Sequence, residues 1–207
     1  VTVKAYNEYW LNFAQQTLYF NSCTAITSNE SYVIFSTDKG TYGGNLVLIK
    51  FDHYGSIIFQ KKLTISNYYL DPNVIKIANS GNIYIVASVA IGTGYSNYHC
   101  LIKFDSNGNL QWIKTLNVGT AGDGISPKLV LDSSENSYIT GYGTNSKFNS
   151  SGTIQYQKYR TMFDTTLLKD STNNLYMAGN VSGAGNNVIQ IYKTNSTFTT
   201  VSWSKRF

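Results

Sequence analysis

Charge is scarce in this chain. Asp, Glu, Lys and Arg make up 13% of its 207 residues, about half the share usual in globular domains. The shortage argues against a helical protein, which would be rich in Ala, Leu, Glu and Lys. The 16 basic and 11 acidic residues leave a formal charge of +5. No run of five like charges occurs, so a nucleic-acid partner has little support. Cysteine is nearly missing: Cys23 and Cys100 are too few for a disulfide framework and read as ordinary thiols. No apolar stretch reaches 18 residues, which predicts no membrane insertion by a helix. Neither a basic n-region nor an apolar h-region follows Val1, so no signal peptide is expected. The missing initiator Met suggests a processed chain or a piece of a longer one. Proline occurs only twice.

Asn, Ser, Thr, Gly and Tyr fill the space, a mix suited to strands joined by polar turns. Four stretches echo one another: LVLIKFDHYGSIIFQKKL at 46–63, HCLIKFDSNGNLQWIKTL at 99–116, SKFNSSGTIQYQKYR at 146–160 and VIQIYKTNSTFTTVSWSKRF at 188–207. Each is an alternating run, a polar turn and a second run carrying a large aromatic. Those aromatics, Phe59, Trp112, Tyr156 and Trp203, stand 53, 44 and 47 residues apart. An earlier Tyr recurs at Tyr32, Tyr84, Tyr138 and Tyr176, with gaps of 52, 54 and 38. This is the period of a propeller blade.

The spacing predicts an all-β fold: a propeller-like array of about four four-stranded antiparallel blades, a partial ring or one completed by an oligomer. The units run over about 23–66, 72–118, 127–160 and 165–207. Residues 1–22 form an orphan strand packing on the array, and Trp10 within YWLNFAQQTL reads as the last strand of an earlier unit. In the second unit the strands fall at about 74–78, 82–89, 99–105 and 109–116. Turns such as 52–55, 105–109 and 149–152 place Gly where a hairpin with a G1 bulge needs positive φ. The eight recurring aromatics are the blade anchors, expected to lie between adjacent sheets.

The pattern N-x-Y-[hydrophobic]-[small]-G followed by L-I-K-[F/Y]-[D/N]-S-x-G-x-[I/L]-Q-W resembles the bacterial β-propeller repeat family often called SBBP repeats. It is carried by 81–85, 101–112, 137–143 and 149–156, and the likeness covers about residues 23–207. The wording LIKFDSNGNLQW and NSSGTIQYQK is similar to propeller repeats of virion structural and tail-fibre proteins of cyanobacterial myophages. The resemblance implies a non-enzymatic structural or adhesive virion component, tail-associated, in a virion or an extracellular setting. Its partners would be other virion proteins, copies of itself or a host-surface glycan.

Candidate chemistry is thin. His53 in a turn, His99 at a strand start and the two cysteines, scattered over 23–100, lack the spacing of the three or four converging ligands that a zinc site needs. The Asp-Ser-Asn-Gly-Asn run at 105–109 opens like a calcium loop, but its twelfth position is Leu116 rather than Glu. Asp132 and Glu135 flank a hairpin tip, which does not suit paired catalytic carboxylates. Neither a G-x-S-x-G nor a P-loop pattern occurs. The glycine-rich stretches at 39–45 and 91–97 read as hairpin connections. No catalytic residue, cofactor or metal is expected. The excess of Tyr suggests recognition loops at Tyr42, Tyr54, Tyr95, Tyr98 and Tyr142, with Tyr68 and Tyr69 also in a loop. Two other readings stay open: a secreted or cell-surface bacterial module binding glycan or protein, and a quinoprotein-like enzyme, which would need a ligand-lined central channel. If Trp112 is a blade anchor, Trp112→Ala should lose about 3–5 kcal/mol in urea unfolding; a loss below about 1 kcal/mol would place it on the surface.

Overall fold

The computed structural model describes residues 3–7, 18–40, 43–66, 68–91, 98–116, 127–141, 144–159, 162–181, 188–198 and 200–206. Among them every regular element is a strand, and four antiparallel sheets follow one another along the chain. The chain divides into two compact units, Val1–Leu116 and Asn117–Phe207.

In the first unit, β1 (Val3–Asn7), β2 (Leu18–Ile26), β3 (Glu30–Gly40), β4 (Gly43–Asp52) and β5 (Ile57–Ile65) form one sheet in the order β1-β5-β4-β3-β2. The second sheet is a simple meander of β6 (Tyr68–Ile77), β7 (Ile83–Ile91), β8 (Tyr98–Phe104) and β9 (Leu110–Leu116). In the second unit, the meanders are β10 (Lys128–Leu131), β11 (Ser137–Gly141), β12 (Thr144–Phe148) and β13 (Ile154–Tyr159), then β14 (Met162–Lys169), β15 (Leu175–Val181), β16 (Val188–Thr194) and β17 (Val201–Arg206).

At the N-terminus, β1 lies at the edge of the first sheet, antiparallel to β5, from Val3 opposite Ile65 to Asn7 opposite Lys61. It thereby satisfies backbone groups that would otherwise form an open sheet edge. Trp10 lies outside the described residues. The first blade also begins earlier than residue 23, because β2 starts at Leu18. The innermost strands β6 and β14 likewise start before the alternating apolar run. The register slips in all three, at Tyr19/Ser22, Pro72/Val74 and Asp164/Thr166. A bulge resets which face each side chain points to, so strict alternation detects only the half beyond it. The second bulge accommodates Pro72, which donates no ladder bond, in an edge strand.

Seven of the connecting turns follow one rule. The backbone N–H of the fourth residue donates to the carbonyl of the first at Asp52, Ala78, Asp105, Asp132, Asn149, Asp170 and Asn195. That fourth residue has positive φ: Gly55, Gly81, Gly108 and Gly152 at 75–86°, Glu135 at 59°, Asn173 at 64° and Phe198 at 58°. Where Asp opens the turn, its Oδ1 accepts two further backbone N–H groups at 2.8–3.0 Å. The turn residues therefore supply their own hydrogen-bond partners.

The sheets bury their faces against one another within each unit. In the first, Tyr32, Ile34, Leu46, Leu48 and Leu63 meet Ile83, Ile85, Ile102 and Phe104 of the second sheet. In the second unit, Tyr138 meets Leu167, Leu175, Met177, Tyr192 and Phe198. Burying one such side chain contributes about 2–3 kcal/mol.

A three-residue row crosses every sheet. The recurring Tyr on the second strand of the meander faces a Lys on the third, which faces the aromatic on the fourth. Tyr32, Lys50 and Phe59 are in register, as are Tyr84, Lys103 and Trp112, then Tyr138, Lys147 and Tyr156, then Tyr176, Lys193 and Trp203. Each Lys Nζ lies over its Tyr ring, at 5.5, 5.0, 5.1 and 5.3 Å from the centroid. Tyr32, Tyr84 and Tyr138 are fully buried, while Phe59, Trp112, Tyr156 and Tyr176 are half-buried. Trp112 meets Tyr84 edge-on at 6.0 Å. Trp203 departs from the expected sandwiched position: it is 44% exposed on the last sheet, with its ring tilted against Tyr176 at 6.4 Å.

Gly108 tests the packing between the first two sheets. A Cβ there would meet Phe59 Cε2 at 2.7 Å, whereas Gly55, at nearly the same φ, has nothing within 4 Å. Both Ala variants carry a left-handed backbone cost of about 1–2 kcal/mol. Gly108→Ala should lose about 1–3 kcal/mol more than Gly55→Ala from overpacking. Equal losses in urea melts of dilute protein would mean that Phe59 is not seated under this turn.

Candidate functional site

Of the five predicted recognition tyrosines, Tyr54 is the one whose side chain is described. It stands at the tip of the β4–β5 turn, 82% exposed, with its ring centroid 3.6 Å from that of His53. Its backbone N–H donates to Asp52 Oδ1 at 2.9 Å, so the tip is held by the turn beneath it. Asp52 stays ionised well below the usual carboxylate range, chiefly because the Ser56 backbone N–H donates to it. Tyr42, Tyr95 and Tyr142 lie outside the described residues. Tyr98 is not in a loop: its backbone belongs to β8, opposite Val89. Tyr68 and Tyr69 are also in a strand, β6, where the bulge at Pro72/Val74 had disguised the alternation. Of the glycine-rich stretches, Gly40 and Gly43 extend β3 and β4 as a cross-strand pair, and Gly92 and Gly94 lie outside the described residues.

Tyr69 belongs instead to a polar cluster on the inner strands of the first unit. Its hydroxyl donates to Asp71 Oδ1 at 2.5 Å, and Ser36 Oγ from the first sheet donates to the same oxygen at 2.9 Å. Farther along β6, Asn73 Oδ1 accepts from Ser88 Oγ at 2.8 Å, and Ser88 Oγ lies 3.3 Å from Nδ1 of the fully buried His99. Sequence analysis treated His99 only as a remote metal ligand and missed Ser88 altogether. The local signal was a Ser and a His on neighbouring strands, but their juxtaposition needs the register of β7 against β8.

Ser88 Oγ thus lies within hydrogen-bond reach of both Asn73 Oδ1 and His99 Nδ1. Asp71 is engaged by Tyr69 and Ser36 and does not orient the ring. Burial holds the His99 imidazole down to about 4, so the ring is neutral at pH 7. Burial similarly pushes the thiols of Cys23 and Cys100 up to about 11 and 12, away from a reactive thiolate. Ser36 to Asp71 joins the first two sheets, while Asn73, Ser88 and His99 link β6, β7 and β8 within the second.

The Asp carboxylates of the turns are occupied by internal hydrogen bonds. Asp105 Oδ1 accepts the backbone N–H groups of Asn107 and Asn109, while Oδ2 accepts the side-chain amides of Asn109 and Gln111. Among the described residues, no three His, Cys, Asp or Glu side chains gather as metal ligands. Asp132 is likewise structural: it accepts the Tyr138 hydroxyl at 2.9 Å, and Glu135 is the positive-φ residue of that turn.

One buried residue had no sequence signal at all. Phe198 sits at φ 58° in the β16–β17 turn, where four other turns carry Gly, and its ring is buried. It stacks on Tyr156 at 5.8 Å and meets Tyr138 at 6.1 Å. Its carbonyl accepts the Tyr156 hydroxyl at 3.4 Å.

No protein-family model matches the chain. No curated protein sequence matches it either. Among solved structures, a protein of unknown function from Bacteroides caccae is similar at TM-score 0.54 and 9% identity, over 93% of this chain and 61% of that one. An exo-β-1,3-galactanase from Phanerochaete chrysosporium is similar at TM-score 0.50 and 9% identity, over 99% of this chain and 54% of that one. The likeness is one of fold. The chain is a propeller-like all-β array. BamB from Moraxella catarrhalis is also similar, at TM-score 0.44 and 15% identity over 84% of this chain and 60% of that one. The array spans 54–61% of the length of these proteins.

His99 gives the cluster a pH signature. The unfolded chain takes up a proton at His99 near pH 6.5, whereas the folded chain resists until about pH 4. Stability should therefore fall as pH drops from 6.5 towards 4, by on the order of 2–3 kcal/mol. His99→Gln should flatten the denaturant midpoint between pH 6.5 and 4.5. An unchanged slope would mean that His99 already titrates normally in the folded protein.

Proposed function

We propose that this chain is a non-enzymatic structural or adhesive component of a virion, associated with a phage tail. The observation that carries the reading is the division of labour within each sheet. Its buried polar groups serve internal links, such as Ser88 to Asn73 and Tyr69 to Asp71. Its exposed turns are rigid tips, fastened by Asx hydrogen bonds and free of any assigned catalytic duty. Binding residues are commonly displayed on loops held by such a scaffold. The resemblance of residues 101–112 and 149–156 to virion propeller repeats supplies the setting, a virion or the extracellular space. Other virion proteins and a host-surface glycan are the proposed partners.

A second reading, a secreted or cell-surface bacterial binding module for glycan or protein, is favoured by one specific feature. The adjoining rings of His53 and Tyr54 form an exposed aromatic tip, and aromatic faces with neighbouring polar groups suit sugar rings. Mass spectrometry of purified particles from the source should detect peptides of this chain, and their absence rejects the virion reading. A glycan array probed with the isolated protein then addresses the module. A specific hit should weaken at least tenfold in Tyr54→Ala, and a hit that Tyr54→Ala leaves intact removes this tip as the contact.

A further inference from the structure

We propose that copies of this chain associate head to tail, with the outer face of the last sheet seated on the β4–β5 turn and adjoining rim of the first sheet of another copy. The contact would repeat one that the protein already builds between its first two sheets.

In that internal contact, Phe59 lies directly beneath the turn of the next sheet, since a Cβ on Gly108 would fall within 3 Å of its ring. Lys50 donates to Ser106 O in the same turn at 3.4 Å. Lys61 lies two residues beyond Phe59 on the same face, and its positive charge helps lower the Asp105 carboxyl, where turn hydrogen bonds overcome the opposing effect of burial. Ile77 and Leu110, at the ends of β6 and the start of β9, pack against the shared core. The second unit repeats the central element, with Tyr156 stacked on Phe198 of the following turn.

Each half of this contact also exists without its partner. Trp203 occupies the place of Phe59, opposite Lys193 as Phe59 is opposite Lys50. Lys205 lies two residues beyond it, like Lys61. The same face carries Leu168 and Ile189, 61% and 51% exposed, where the corresponding face of the first sheet is a buried core. At the other end, Gly55 takes the place of Gly108 with open space above it. Asp52 opens that turn as Asp105 opens the other. Ile26 and Ile57, the counterparts of Ile77 and Leu110, are 81% and 57% exposed. Aromatic meets glycine turn, cation meets carboxylate and apolar rim meets apolar face; the middle of the first sheet, at Val47 and Ile49, is already buried within the chain, so the contact is confined to the turn and rim. A heterologous contact of this kind closes into a ring or extends into a filament.

The contact uses the same β4–β5 turn as the His53–Tyr54 tip, so a glycan held there would compete with it, and the test is run without glycan. Sedimentation equilibrium of the wild-type protein should give species heavier than the 23.0 kDa chain. Trp203→Glu and Ile57→Glu should each raise the dissociation constant by roughly 30-fold or more and sediment as monomers. Both positions are exposed, so circular dichroism should confirm unchanged folding. The two variants mixed in equal amounts should form a species of two chains and stop there, because each retains the surface the other lacks. A wild-type protein that stays monomeric at every concentration overturns the proposal, leaving the face to a different partner or a further blade. So does an Ile57→Glu variant that still self-associates while Trp203→Glu does not, since that result marks a symmetric pairing of last sheets.

Discussion

The row of Tyr, Lys and aromatic that crosses each sheet constrains the rest of the structure. A lysine buried as deeply as Lys50 or Lys103 loses hydration that apolar neighbours cannot replace. The Tyr face supplies part of the compensation, since a desolvated cation–π contact contributes about 2 kcal/mol. In the first sheet Glu30 completes it, with an ion pair to Lys50 at 2.8 Å and a hydrogen bond from the Tyr32 hydroxyl at 2.6 Å. Lys50, then Tyr32, hold the Glu30 carboxyl below its ordinary range. The row therefore fixes the register of three strands together, because a slip of one residue would turn the Lys to the opposite face.

The same row ties the sheet to its turns. The hydroxyls of Tyr138 and Tyr176 donate to Asp132 and Asp170, the residues that open their hairpins. Asp170 is held far below the usual carboxylate range, first by the Asn174 side chain. In the second sheet, Ala78 stands at the corresponding position, so no carboxylate is available there. Turn chemistry and core packing are thus parts of one hydrogen-bonded chain running from a solvent-exposed tip to a buried ring.

Such a scaffold separates a packed interior from exposed turn tips. Interior polar groups such as His99, Ser88 and Asn73 join β6, β7 and β8. The tips carry the freedom to vary, because an Asx turn is stabilised by its first residue and its positive-φ fourth, while the two between face solvent. His53 and Tyr54 are the residues between in the first sheet. Phe198 shows the alternative use of the same geometry. There the fourth residue is an aromatic that points inward and supplies packing which Gly cannot.

The sequence alone carried the all-β class, the number of sheets and most of the strands. The period of Tyr32, Tyr84, Tyr138 and Tyr176 and the turns at Asp52 and Asp105 are local patterns, imposed by hydrogen bonding and side-chain alternation within some fifty residues. It did not carry the inner halves of β2, β6 and β14, where bulges cancel the alternation, nor the strand placement of Tyr69 and Tyr98. Only tertiary structure decided that β1 lies beside β5, that Ser88 meets His99, and that Phe198 is buried while Trp203 is exposed. Phe59 and Trp203 have nearly the same surroundings in sequence and in their own sheets. What separates them is the presence or absence of a neighbouring sheet, and burial against a distant segment is a property no local pattern encodes.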